Sequence, residues 1–258
     1  MMFFNKKTNK FVCWVKSSFD IFCNTGFSIL IGDSLLNMEY KGMIFSKQGN
    51  VGDFDLFDDE GKGYVVMAVK DQMVLQELND TYTDFGEKFS NHLLFEKNYP
   101  PFVREAPCFF TRNGRKFIIT SGTTGYYPNR TIGYDITDMH GEWKELGYTC
   151  VDDKKKNSFH SQFSSVFKHP TKDLYIAIGD RWINDPGIEQ IDYEELFERV
   201  YEPQERGEEW DKLAKKLNSV SKEDLTKATY LWLPIQFDDK GNRKSSKRKL
   251  SCKCKITC

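Results

Sequence analysis

Four copies of one local pattern constrain this chain more than any other feature. Asn5–Trp14 is a polar turn feeding an apolar strand led by an aromatic residue, and the same grammar returns at Asp58–Met67, Arg112–Thr120 and His169–Ile178. The leading aromatics, Phe11, Tyr64, Phe117 and Tyr175, are spaced by 53, 53 and 58 residues. A hairpin recurring with a period of about fifty residues is the sequence form of a β-propeller blade. A second element follows three of the hairpins: Ser28–Asp33 leading to Glu39–Gly42, Met73–Leu78 followed by Tyr82, and Ile132–Ile136 leading to Glu142–Gly147. These read as the outer strands of each unit. Chance hairpins in a sandwich would not be so evenly spaced, so the expected class is an all-β propeller over residues 1–241.

The order breaks after Trp182. Residues 188–227 are rich in Glu, Lys and Leu, with apolar Leu196, Val200, Trp210, Leu213 and Leu217, which suits one or two surface helices inserted between strands. Ser221–Asp224 offers an N-cap signature. The chain returns to β at Thr229–Phe237, and the basic tail 242–258 has too few apolar residues to order itself.

Composition narrows the function classes. A net charge of −1 over 258 residues, with no basic stripe before the tail, gives no nucleic-acid surface. The seven cysteines are scattered or clustered in the tail without His partners, so neither a metal site nor a paired disulfide framework is expected. No apolar run reaches membrane-span length, and Met1–Lys10 lacks a signal-peptide layout, so the chain is expected to be soluble and, on this reading alone, cytoplasmic. Asn79-Asp80-Thr81 and Asn129-Arg130-Thr131 match the glycosylation acceptor pattern, which matters only in an exported protein. Aromatics make up 15% of the chain, and they serve either as cross-strand core pairs or as stacking platforms for sugar rings.

The stretch richest in chemistry is Tyr99–Asn129. It begins with Pro100-Pro101, places Glu105 between Arg104 and Ala106-Pro107, and runs through a hairpin with its turn at Arg112-Asn113-Gly114. It ends in a loop rich in Gly and Tyr. On spacing alone Glu105 is a solvated charge at a strand entry.

Six segments in order change that reading: Asp53–Tyr64, Arg104-Glu105-Ala106-Pro107, Ser121–Asn129, Phe159-His160-Ser161-Gln162, Gly179-Asp180-Arg181-Trp182 and Tyr230–Ile235. Together they resemble glycoside hydrolase family 43, in the branch similar to galactan 1,3-β-galactosidases. The resemblance runs from about Asn5 to Phe237 and leaves 188–227 unmatched. It implies a five-bladed propeller whose first blade is incomplete here. It also implies inverting hydrolysis of terminal β-galactose in a β-1,3-galactan-like polysaccharide, and an extracellular location. No cofactor is implied beyond a structural calcium that some members hold in the channel, near the position of His160. A hydrogen-bonded structural histidine is the alternative there.

By the same resemblance Glu105 is the general acid and Asp53 the carboxylate that tunes it. Asp55 is a substitute for Asp53, because the segment is one residue shorter than usual. The chain begins after the point where most members carry their base. Gln162 matches the residue proposed for that role in this branch, although an amide is a poor proton acceptor and could instead orient water or a sugar hydroxyl. Tyr126, Tyr127, Asn129, Arg181 and Trp182 are the implied sugar contacts. The aromatic ones are equally readable as core, and Asp180-Arg181 as an ion pair between blades. Thr123, Thr124, Tyr126 and Gly52 depart from the family pattern, so a catalytically degenerate sugar-binding propeller is the competing expectation.

Overall fold

The computed structural model describes residues 1–18, 24–183, 192–203, 207–220, 225–237 and 250–252. They form four antiparallel sheets of four strands, divided between two compact units. The first unit is Met1–Leu94 with Asp138–Glu142, and the second is Phe95–Thr137 with Trp143–Cys258.

In the first unit, β1 (Met2–Asn5), β2 (Lys10–Ser18), β3 (Thr25–Ser34) and β4 (Asn37–Ile44) make one meander. A second consists of β5 (Val51–Asp59), β6 (Lys62–Val69), β7 (Gln72–Leu78) and β8 (Phe85–His92). The second unit holds β9 (Arg104–Arg112), β10 (Arg115–Gly122), β11 (Ile132–Ile136) and β12 (Trp143–Tyr148). Its other sheet is β13 (Gln162–Lys168), β14 (Tyr175–Arg181), β15 (Thr229–Phe237) and β16 (Leu250–Cys252).

The sequence repeat has a direct structural meaning. Each leading aromatic stands on the second strand of its sheet, and in three sheets it meets an aromatic directly across the first hairpin. Phe11 faces Phe4 at 5.0 Å, Tyr64 stacks on Phe57 at 5.4 Å, and Phe117 stacks on Phe110 at 5.3 Å. In the fourth sheet Lys168 takes the facing position, its ammonium 6.0 Å from the Tyr175 ring. Such cross-strand pairs hold register, because a slip of one residue would turn every side chain to the other face. The β9–β10 hairpin closes at Asn113 and Gly114, both at positive φ, as a two-residue turn between twisted strands requires.

The protein is therefore all-β and of the propeller type, with four blades among the described residues where the resemblance implied five. Each of the four aromatic-led hairpins opens one of these sheets. In the first sheet β1 pairs with β2 and two further strands follow. At the other end, Leu250–Cys252 of the basic tail pairs with Ile235–Phe237 and completes the last sheet. The rest of the tail lies outside the described residues, as does the Ser221–Asp224 cap.

The inserted stretch contains two helices, α1 (Tyr193–Tyr201) and α2 (Glu208–Val220). Asp192 caps α1 by accepting from the Glu195 N–H at 3.0 Å. Its apolar face, Tyr193, Leu196, Phe197 and Val200, packs with Tyr127 and Ile183, so the insertion shares its core with the blade loops. In the first unit Trp14 is fully buried against Phe27, and its indole donates to the Tyr82 carbonyl at 2.8 Å. No helix of the described residues is long and apolar enough to cross a membrane.

A polar chain closes one side of that unit. Glu77 pairs with Lys62 at 2.6 Å and faces His140 Nε2 at 3.2 Å, while His140 Nδ1 meets Ser90 Oγ at 2.9 Å. Ser90 in turn lies 2.8 Å from Nε2 of the buried His92. Burial, with His140 nearby, pulls His92 from the usual 6.5 down to about 4. Folding thus favours its neutral ring, and the stability present above about pH 6.5 is lost as pH falls toward 4, by about 3 kcal/mol. Urea unfolding between pH 4 and 7 will show this loss, and His92→Asn will flatten that part of the curve.

Candidate active site

The site grows out of an irregularity in the third sheet. Glu105 pairs with Ser121 and Cys108 with Ile119, so Ala106 and Pro107 together stand opposite Thr120 alone. This is a β-bulge, and its cause is local. Pro107 has no N–H to give to the ladder, and Ala106 takes a left-handed backbone with φ 46°. A bulge bends its strand and re-aims the neighbouring side chain. Here that side chain is the half-buried Glu105.

Glu105 meets Gln162, the first residue of β13. Gln162 Nε2 donates to Glu105 Oε1 at 3.1 Å and to Ser121 Oγ at 2.8 Å, while its Oε1 accepts from Trp182 Nε1 at 3.2 Å. An indole N–H can only donate, so the Trp182 contact decides which way the amide faces. Tyr126 is exposed and its ring lies 5.5 Å from that of Trp182, at 60°. The second unit thus brings together Glu105, Gln162, Trp182 and Tyr126. The sequence motifs contained Ser121 but carried no signal for its bond to the amide.

Arg104 anchors the bulge from below. It is buried and donates to Thr120 Oγ1 at 3.0 Å and to the carbonyls of Thr120 and Arg130, both at 2.7 Å. Burial pulls its guanidinium below the ordinary value, while Tyr134 and the carboxylates of Glu194, Glu145 and Glu105 pull the other way. Gly122 must be glycine, since a Cβ there would lie 2.3 Å from the Pro101 carbonyl.

Other residues expected at the site have structural occupations. Asn129 is buried and clamps the loop: its Oδ1 accepts from the Gly122 N–H at 2.7 Å, and its Nδ2 donates to the Gly122 carbonyl at 2.8 Å and to Thr124 Oγ1 at 2.6 Å. Tyr127 is buried and stacked on Tyr193 at 4.7 Å. Glu194 on α1 pairs with Arg130 at 2.9 Å, and burial raises its carboxyl above the usual range. Arg181 donates to the Phe159 carbonyl at 2.9 Å. In the first unit, Asp53 is exposed on β5, whereas Asp55 is buried and accepts from the Leu56 N–H at 2.9 Å.

His160 lies in the turn before β13, at φ 62°. Among the described residues no three His, Cys, Asp or Glu side chains gather so as to hold a metal ion.

No family model matches the chain, and neither does any curated protein. Solved structures do match, and what they show is the fold: a β-propeller. One is a family 43 β-1,3-galactosidase, at 22% identity and TM-score 0.66, covering 97% of this chain and 44% of that one. A second family 43 β-1,3-galactosidase, solved with galactodeoxynojirimycin, has 21% identity and TM-score 0.68, covering 97% and 73%. An exo-β-1,3-galactanase from Clostridium thermocellum has 19% identity and TM-score 0.66, covering 97% and 47%. The chain thus spans less than half the length of two of these proteins and nearly three quarters of the third.

Asn129 and Tyr126 sit three residues apart and will respond oppositely to truncation. Asn129→Ala takes the acceptor from the Gly122 N–H, while the Gly122 carbonyl keeps the Thr124 N–H, and will cost about 1–3 kcal/mol. Tyr126→Ala, on an exposed ring, will stay within about 0.5 kcal/mol of the parent protein. Urea unfolding of the two variants measures both.

Proposed function

We propose that this chain is a glycoside hydrolase acting on terminal β-galactose of a β-1,3-galactan-like polysaccharide by inverting hydrolysis, with Glu105 as general acid. The observation that carries the proposal is the contact of Glu105 with Gln162 and, through it, Trp182, on a fold shared with β-1,3-galactosidases and galactanases. A bulge presents one half-buried carboxylate, a fixed amide donor orients it, and two aromatic rings beside it offer a stacking surface for a pyranose. A polysaccharide substrate also fits an extracellular location.

The geometry favours a positioning role for Gln162 over a role as base. An inverting pair needs about 6.5–9.5 Å between acid and base, so that water can enter on the far face of the sugar. At 3.1 Å Gln162 is a direct partner of the acid, and its carbonyl oxygen is already taken by the Trp182 N–H. For the tuning role the resemblance names Asp53, with Asp55 as its substitute; of the two, Asp55 is the buried one. The same commitment of Gln162 supports a second reading, a propeller that binds galactosides without cleaving them.

Replacing Glu105 by Gln keeps size and removes the transferable proton. Hydrolysis of β-1,3-galactobiose will fall by roughly two to four orders of magnitude. An aryl β-galactoside with an activated leaving group will lose much less, because its departure needs little protonation. Equal losses on both substrates would remove Glu105 from the acid role. Galactoside binding by calorimetry without turnover in the parent protein would select the binding reading.

A further inference from the structure

We infer that Asp153 is a positioning residue for the site: its carboxylate holds the left-handed turn from which Gln162 reaches Glu105. The inference rests on the site proposed above.

Ser158, Phe159 and His160 are consecutive, none is glycine, and all three have left-handed backbones, with φ of 55°, 54° and 62°. Lys156 just before them has φ 53°. L-residues with side chains visit this region singly, so three in a row persist only where the surroundings over-determine them. The turn is closed by the His160 N–H on the Asn157 carbonyl at 3.0 Å and by Ser161 Oγ on the Ser158 carbonyl at 2.6 Å. Gln162 follows at once.

The over-determination comes from one carboxylate. Asp153 Oδ2 accepts from the Asn157 N–H at 2.8 Å, the Phe159 N–H at 3.1 Å and the Tyr148 hydroxyl at 2.6 Å, while Oδ1 accepts from the Lys155 N–H at 3.1 Å. Tyr148 keeps its proton for that bond, because burial, with Cys150 and Asp153 beside it, holds the phenol far above its usual value. The same hydroxyl accepts from the Ser158 N–H at 2.8 Å. Asp153 thus reaches the turn directly and, through Tyr148, a second time. Two further ties place the turn against the sheets: Ser158 Oγ donates to the Asn129 carbonyl at 2.6 Å, and Arg181 reaches the Phe159 carbonyl. A carboxylate accepting four bonds does what no neutral residue of that size can, so Asp153→Asn should release the turn without emptying the core.

The experiment reads the Gln162 side-chain amide by NMR in glutamine-labelled protein, with Gln162→Ala assigning the signal. In the parent protein the two N–H protons will be shifted from the free side-chain position and protected from solvent exchange. In folded Asp153→Asn they will move toward the free position and exchange at least tenfold faster. Tyr148→Phe, which removes one bond to Asp153 and one to the turn, will shift them the same way by less, and it carries the test if Asp153→Asn does not fold. An unchanged Gln162 signal in either folded variant overturns the inference, whatever the chain does to galactosides. Where turnover is measured, Asp153→Asn will lower kcat with little change in KM, and the loss will vanish in a Gln162→Ala background. A loss of equal size in that background would make Asp153 merely structural. Absence of turnover in the parent protein defeats the enzymatic reading and leaves the spectroscopic test standing.

Discussion

The aromatic pair across the first hairpin of a sheet is the interaction on which the rest of this structure depends. Phe4–Phe11, Phe57–Tyr64 and Phe110–Phe117 each join the first two strands of a sheet, and the later strands add onto a register already held. In the Phe57–Tyr64 and Phe110–Phe117 pairs both rings are buried, and a one-residue slip would expose that apolar area. Glu105 lies on β9, the strand that carries Phe110 of the Phe110–Phe117 pair, so its position follows from that register.

Against this regular background the site is made from departures. β9 carries an extra residue at Ala106-Pro107, and β13 is entered through three left-handed residues. Each departure is held by one buried ionic group with several bonds: Arg104 at the bulge and Asp153 at the turn. Backbone strain of this kind is stable only where such groups outweigh it, and it gathers where side chains must be aimed. The bonds of Gln162 are the product of both, since one end of each lies on an irregular strand.

The helical insertion shows how a loop residue can change its meaning. Tyr127 sits beside Tyr126 in the chain, yet one ring is buried on Tyr193 and the other stands exposed next to Trp182. Neighbours in sequence point to different surroundings, and α1 claims the first of them. Burial then separates structural from available aromatics more sharply than residue type does.

The sequence by itself determined the class of fold and the place of the four sheets among the described residues. Phe11, Tyr64, Phe117 and Tyr175 predicted the second strand of each sheet, because a repeated hairpin is a local structure with a local signature. The helices within residues 188–227 were legible from their apolar spacing, whereas Glu105 stood out only through the resemblance. Those four hairpins match the four sheets of the described residues, where the resemblance implied five blades. Only the tertiary structure decided what each polar group touches. Nothing in the spacing says that Gln162 gives its N–H groups to Glu105 and Ser121, that Asn129 is a clamp, that Asp55 is shielded while Asp53 is not, or that Asp153 holds a turn. Strand and turn follow from interactions among near neighbours. The partners of Gln162 lie 57, 41 and 20 residues away, and chain folding alone brings them within bonding distance.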